Sequence, residues 1–328
     1  MRIALDAIGG DHAPAEVVKG AQEACEAYGV EVILVGPEAL VRRELTQQGL
    51  SSPRVSVVNA SQVIAMDEHP ALAVRSKPDS SVVVGINLVK RGEAAAFVSA
   101  GNSGATVAAA LLHLGRIPGI ERPALGTVFP TVKGKAMVLD VGATADCKPT
   151  HLFQFAYMGS LYMERVMGVE QPKVGLLSLG EEATKGNQLV VEAHALLKRS
   201  GLNFIGNVEG NDIPQHKADV VVTDGFTGNV VIKVAEGISE SLLSLLREAL
   251  ISRLHFKLAA WVLRPAFRQM AQRLDYSEYG GAPLLGVNGV VIIAHGRSNA
   301  RAIKNAIGVT KQAIDQGLLQ IIAGIESV

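Results

Sequence analysis

Short β-branched or alanine-rich runs alternate along the chain with longer stretches of helical period, as where "RIALD" is followed by "AEVVKGAQEACEAY". Apolar runs of that length separated by amphipathic stretches predict a largely parallel sheet covered by helices. The strand-like runs are Arg2–Asp6, Glu31–Val35, Arg54–Val58, Ala95–Ser99, Leu125–Phe129, Ala136–Val141, Lys173–Ser178, Asn203–Val208, Val220–Thr223 and Val290–Ala294. Helices are predicted near 14–28, 37–48, 81–91, 103–114, 149–167, 187–199, 228–252 and 298–316. No low-complexity linker interrupts the alternation. "RIPGIERPALG", residues 116–126, carries two prolines and two glycines that stop a helix and turn the chain, and a change of lobe is placed there.

With 328 residues, the chain is long enough for two lobes or one large α/β domain. Lys+Arg and Asp+Glu both total 31, and a formal charge of zero argues against a broad electrostatic grip on nucleic acid. Cys25 and Cys147 are far apart and belong to no Cys/His cluster, so neither a disulfide framework nor a metal site is expected, and a reducing cytoplasm fits. The N-terminal apolar run reads as a first strand rather than a signal peptide. Glycines and charges interrupt every hydrophobic run before the roughly 20 apolar residues that a spanning helix needs.

Several predicted strands run into small, polar corners. In "LDAIGGDHAP", residues 5–14, Gly9 and Gly10 permit positive φ and close approach of a backbone or ligand, Pro14 suits the next helix's first turn, and Asp11 is placed to cap it. A tight turn with a cap is the plainer reading; a ligand site at the carboxyl end of a strand is the other. "VSAGNSGAT", residues 98–106, places Gly101, Asn102, Ser103 and Gly104 where helix-terminal amides could hold a phosphate-like anion. Neither the dinucleotide fingerprint nor the Walker A pattern occurs. "TDGFTGNVVIK", residues 223–233, offers Asp224, Thr227, Gly228 and Asn229; "LGEEATKGN", residues 179–187, offers Lys185; "AHGRSNARA", residues 294–302, offers His295 and Arg297. Five such corners are expected to share one cleft.

"LDAIGGDHAP", "VSAGNSGA", "GIERPAL", "LGEEATKG", "DGFTGNV", "YGGAPLLG" and "AHG" together resemble the bacterial phosphate acyltransferases of the PlsX family, in order and spacing, over essentially the whole chain. The resemblance implies a three-layer α/β/α fold with a large mixed, mostly parallel sheet in two intertwined lobes. That fold is similar to the phosphate acetyltransferases and to the isocitrate and isopropylmalate dehydrogenases. On that basis residues 1–124 with 285–328 are assigned to one lobe and 125–284 to the other. A homodimer is implied. So is transfer of a fatty acyl group from acyl carrier protein to inorganic phosphate, with no cofactor and no metal. The acyl-phosphate would pass to a membrane acyltransferase acting on glycerol 3-phosphate, in phospholipid synthesis. A decarboxylating NAD-dependent dehydrogenase of the same fold and a non-catalytic membrane-associated scaffold are the alternatives.

Attack of phosphate on a thioester needs a phosphate cradle, donors for the developing oxyanion and support for the departing sulfur. The amides and side chains of Asn102 and Ser103 are assigned to the cradle, with Gly9, Gly10, Asp11, Gly101, Gly104, Thr227 and Gly228 as further phosphate or substrate contacts. Lys185 would add positive charge. Asp224 would relay a proton around the thiol unless it simply caps its helix, and Asn229 would hold an oxygen unless it bonds turn backbone. His295 is an alternative proton carrier, since histidines exchange protons near neutral pH. Cys147 precedes a predicted helix, where a thiol pKa can fall, and invites an acyl-enzyme reading; no histidine stands at the spacing of a known cysteine-nucleophile signature.

From Ala249 to Leu274 there is no acidic residue, while Arg253, Lys257, Trp261, Arg264, Phe267 and Arg268 are present. Pro265 is expected to split this stretch into two short helices. Its composition fits contact with an anionic membrane surface, docking of the acidic carrier protein, or a dimer interface. A cytoplasmic protein associated peripherally with the inner membrane face is expected.

Overall fold

The structure is a computed structural model and describes residues 1–251, 253–274 and 280–324. From the N-terminus the elements are β1 (Arg2–Asp6), α1 (Ala15–Tyr28), β2 (Glu31–Gly36), α2 (Glu38–Gln47), β3 (Val55–Asn59), α3 (Pro70–Ser76), α4 (Ser81–Lys90), β4 (Ala96–Ser99) and α5 (Ser103–His113). There follow β5 (Ala124–Thr131), β6 (Gly134–Leu139), α6 (Pro149–Arg165), β7 (Val174–Leu177), α7 (Gln188–Leu197), β8 (Phe204–Val208), α8 (Asp212–Gln215) and β9 (Val220–Val222). The last are α9 (Gly225–Ile251), α10 (Leu254–Leu274), β10 (Ala282–Leu285), β11 (Val290–Ile293), α11 (Ala300–Asp315) and α12 (Leu318–Ala323).

Every strand-like run of the sequence is a strand here, in one eleven-stranded sheet of order β3-β2-β1-β4-β11-β10-β5-β6-β9-β7-β8. The eleventh strand, β10, was not expected, because a four-residue run holding Pro283 and flanked by glycines has neither the length nor the composition of a central strand. Its ladder with β5 joins Leu284 to Leu125 and Leu285 to Ala124, so the missing N–H of Pro283 falls outside that ladder. The short α3, α8 and α12 were also unread, since runs of seven, four and six residues are too brief to show a helical period.

Direction within the sheet decides where the strand ends lie. β11 runs parallel to β4, and β4 to β1. β10 is antiparallel to β11 and to β5, and β5 is antiparallel to β6, which is parallel to β9. The strands β6, β9, β7 and β8 therefore point opposite to β1, β4 and β11. Mostly parallel pairing holds within each block, but the carboxyl ends of the two blocks lie at opposite edges. Four of the five corners nonetheless line one cavity, through Asp11, Gly101 with Ser103, Asn229, and His295 with Arg297, and only the β7–α7 corner that carries Lys185 does not.

Pro265 does not split the basic segment, and α10 is one helix from Leu254 to Leu274. Trp261 and Pro265 are exposed, so the carbonyl that loses its partner at the proline faces solvent, where water can replace the missing bond.

Candidate active site

Three corners of the first block are fastened together, two by a buried carboxylate and the third by a backbone bond. Asp6 ends β1 and accepts the backbone N–H groups of Ile8 at 3.2 Å and Gly9 at 3.1 Å, and the Ser99 hydroxyl at 2.8 Å. Ser99 ends β4, and its oxygen accepts the N–H of Gly101 at 3.0 Å. The third corner joins when the N–H of Asp11 donates to the carbonyl of Gly296 at 2.7 Å. A Cβ on Gly9 would lie 2.5 Å from the Asp6 carboxylate and 2.6 Å from the Gly101 nitrogen, so this close approach of backbones requires glycine. Burial pushes the Asp6 carboxyl above its ordinary pKa, against hydrogen bonds from Ser81, Ser99, Ile8 and Gly9 that pull it down.

These contacts change several expected roles. Gly9 and Gly10 serve the packing of one corner on another: Gly10 has φ +107° and lies against the Gly296 carbonyl. Asp11 does not cap α1, whose N-cap position is held by Pro14 with no side-chain cap; Asp11 faces the cavity described below. The Asn102 side chain is committed within the protein. Its Oδ1 caps α5 by accepting the Ala105 N–H at 3.0 Å, and its Nδ2 faces the carbonyls of Ala65, Met66 and Glu68 at 3.1, 3.2 and 3.3 Å. The Gly101 amide is likewise committed, to the Ser99 hydroxyl oxygen, so a cradle at this corner is left to the exposed Ser103. Gly104 admits Pro70, whose Cγ would lie 2.6 Å from an added Cβ.

Asp140 repeats the device in the second block. Buried just past β6, it accepts the N–H groups of Leu125 at 2.8 Å, Gly142 at 3.0 Å, Ala143 at 3.0 Å and Thr144 at 2.6 Å. Burial again raises its pKa, opposed by these four donors. A Cβ on Gly228 would fall 1.9 Å from the Asp140 carbonyl oxygen, so Gly228 seats α9 against this corner and not a substrate. Asp224 caps α9, accepting the Thr227 N–H at 2.9 Å and its hydroxyl at 2.7 Å, which occupies both residues with each other. Lys185 is exposed on the β7–α7 corner and does not line the cavity. Cys147 donates from Sγ to the Thr144 carbonyl at 3.4 Å; burial, with Asp140 adding to it, pushes the thiol up to about 12, the opposite of the lowering expected ahead of a helix.

A cavity of about 600 Å³ lies between the blocks. Asp11, Gly101, Ser103, His295 and Arg297 form a polar wall, and Leu125, Val128, Val141, Ile232 and Ile293 an apolar one. The first turns of α9 complete it with Asn229, Lys233 and Glu236. Asn229 donates from Nδ2 to the Val141 carbonyl at 3.1 Å, and the Nδ1 of His295 accepts the Arg297 N–H at 3.1 Å. Further along α9, Glu240 pairs with Arg297 at 2.5 Å, so this helix reaches across from the Asp140 corner to the β11 corner. The structure thus brings together Asp11, Gly101, Ser103, Asn229 and His295, and leaves Lys185 and Asp224 outside the lining. Asp6, Met66, Asp140, Lys233 and Glu236 were missed. Lys233 could have been found, since it stands four residues after Asn229 on the same helical face.

In the basic segment Arg253, Lys257, Trp261 and Arg264 are exposed and Phe267 is half-buried; the side chain of Arg268 lies outside the described residues. α10 packs on α9, whose Phe226, Val230, Val234, Ile238 and Leu242 are exposed at four-residue spacing. Among the described residues no helix is long and apolar enough to cross a membrane.

The fold is shared with a phosphotransacetylase from Streptococcus pyogenes, which is 20% identical with a TM-score of 0.66, over 96% of this chain and 94% of that one. The sequence is closer to two proteins named phosphate acyltransferase. That of Desulfitobacterium hafniense is 54% identical over 98% of this chain and 96% of its own, and that of Heliobacterium modesticaldum is 53% identical over the same shares. The profile of the fatty acid synthesis protein family matches residues 1–321, and the chain belongs to that family.

Two outcomes are expected of the site's framework. Asp140→Ala strands four corner amides and lowers stability by about 3 kcal/mol, read as a shift of the urea midpoint at unchanged slope; Asp140→Asn, which keeps an acceptor, loses less. Iodoacetamide at pH 8 modifies Cys147 in the native protein about a thousandfold more slowly than in the unfolded chain, because the raised pKa leaves that much less thiolate. Equal rates would contradict the buried placement.

Proposed function

We infer that the protein transfers a fatty acyl group from the phosphopantetheine thioester of acyl carrier protein to inorganic phosphate, yielding acyl-phosphate for phospholipid synthesis. The observation that carries this reading is a single cavity lined by polar residues of the strand-end loops together with apolar side chains, in a member of this family. A phosphate oxygen donates an electron pair to the thioester carbon, the C–O bond forms, and the tetrahedral intermediate collapses with its C–S pair on sulfur. The thiolate then takes a proton. In this reading the Ser103 amide and hydroxyl hold phosphate or oxyanion, Asn229 orients an oxygen, and His295 passes the proton. The first methylenes of the acyl chain lie along Val128, Val141 and Ile232, where burial of apolar surface holds them. No protein nucleophile is needed, in keeping with a protonated Cys147 outside the lining.

The same reading divides the chain into a lobe of residues 1–124 with 285–328 and a lobe of 125–284, an assignment supported by the reversal of strand direction at β10 and β5. It also includes a homodimer and peripheral contact with the inner face of the membrane. Supporting these are the exposed apolar residues of α9 and the exposed Trp261, Val262 and Leu263 beside Arg264 on α10. The acyl-phosphate, an amphiphile, would be consumed there by a membrane acyltransferase acting on glycerol 3-phosphate.

Purified protein given acyl carrier protein thioester should release free carrier thiol only when phosphate is added, with no requirement for NAD. Release independent of phosphate, or none, would remove the transferase reading; NAD reduction would favour a dehydrogenase. For the surface, wild type should sediment with vesicles containing anionic lipid, and a folded Trp261→Ser, Arg264→Ser, Phe267→Ser triple variant should stay in the supernatant. Equal sedimentation would exclude α10 as the contact.

A further inference from the structure

Sequence reasoning placed the positive charge of the site at Lys185, which the reversed second block carries away from the cavity lining. Three other basic side chains line the cavity: Lys233, His295 and Arg297. Arg297 is engaged with Glu240 across the gap between α9 and the β11 corner, and the Nδ1 of His295 is engaged with the Arg297 backbone. Lys233 enters from α9, four residues beyond Asn229 and therefore on the same face of the helix. Among the described residues it is in no ion pair.

We propose that Lys233 is the phosphate-binding cation of this cavity, its ammonium meeting the inorganic phosphate dianion opposite Ser103. The proposal rests on the acyl-transfer reading for its role in turnover. Two features of the site favour an ammonium at this place. A lysine is a compact charge with three rotatable donors, suited to an acceptor that must change geometry as one of its oxygens becomes esterified; the guanidinium of Arg297 is planar and already engaged with Glu240. Its carrier also reaches both blocks. Asn229 lies beside Val141 near the Asp140 corner and Glu240 meets Arg297 near the β11 corner, roughly 16 Å along the axis, so Lys233 projects between the polar and apolar walls. Phosphate held there would have its free oxygens toward the apolar wall, where the thioester carbonyl of the acyl chain is placed by the reading above. Loss of one charge-assisted bond weakens binding by about tenfold to a hundredfold.

The test compares wild type, Lys233→Met and Lys233→Arg. Inorganic phosphate alone should raise the thermal midpoint of wild type and of Lys233→Arg, and should leave that of Lys233→Met nearly unmoved. In the thiol-release assay Lys233→Met should raise KM for phosphate about tenfold to a hundredfold with KM for the acyl donor little changed, and Lys233→Arg should recover most of the loss. Should the methionine variant fail to fold, Lys233→Gln replaces it in both arms. An unchanged KM for phosphate together with undiminished stabilisation by phosphate in the folded neutral variant overturns the proposal. If wild type itself releases no thiol, acyl transfer fails as the function, while the phosphate titration still judges Lys233 as a phosphate site.

Discussion

The site depends on how two strand ends dispose of their backbone amides. A corner packed against neighbouring corners cannot leave its N–H groups to water, and an unpaired buried amide costs as much as a lost hydrogen bond. Asp6 and Asp140 answer this in the same way, each accepting amides of the loop that follows its strand and one further group, the Ser99 hydroxyl for Asp6 and the Leu125 N–H for Asp140. Both carboxyls are raised in pKa by burial, so the folded state holds its protons more tightly than the unfolded chain. The sign is informative: such a group contributes most below the unfolded pKa, and its contribution falls as pH rises towards the folded one. Burying Asp6 and Asp140 thus costs stability as pH rises, and what they secure is the position of the corners.

That position matters because the sheet reverses. A single parallel sheet would set all its carboxyl ends on one edge, where ligands gather. Here β10 and the β5–β6 hairpin turn the second block around, so the β1, β4 and β11 corners meet one another while the β9–α9 corner reaches the cavity through Asn229. The second block contributes to the cavity from its side, through Leu125 and Val128 of β5 and the face of α9. Polar and apolar groups of both blocks therefore line one cavity. This is the combination needed by a reaction that joins an inorganic anion to a hydrocarbon chain.

Much of the fold was legible in the sequence because each block obeys period rules locally: "RIALD", "EVILV" and "KAMVL" all read correctly as strands. Strand direction was not legible, since period fixes which residues are buried and says nothing of which way a neighbour runs. The four residues of β10, on which the reversal turns, carry the weakest signal in the chain. At the site, Gly101, Ser103, Asn229 and His295 were found because corners advertise themselves through small and polar residues. Asn102 and Asp224 share that appearance but spend their side chains on caps and loop carbonyls. Lys233 and Ile232 sit inside a regular helix, where composition looks like any amphipathic surface.

Helix α9 connects these observations. Its first turn is seated by Gly228 on the Asp140 corner, its second and third wall the cavity, Glu240 binds it to the β11 corner, and it contacts α10. A rigid helix transmits displacement along its axis, and the Glu240–Arg297 pair is exposed enough to be a weak tie on its own. The seat at Gly228 is the opposite case, because a backbone carbonyl in contact with a glycine Cα leaves no room for sliding. The helix is accordingly fixed at its start and lightly held in the middle, so forces applied at the α9–α10 hairpin would reach the cavity first at Glu236 and Lys233 and last at Asn229.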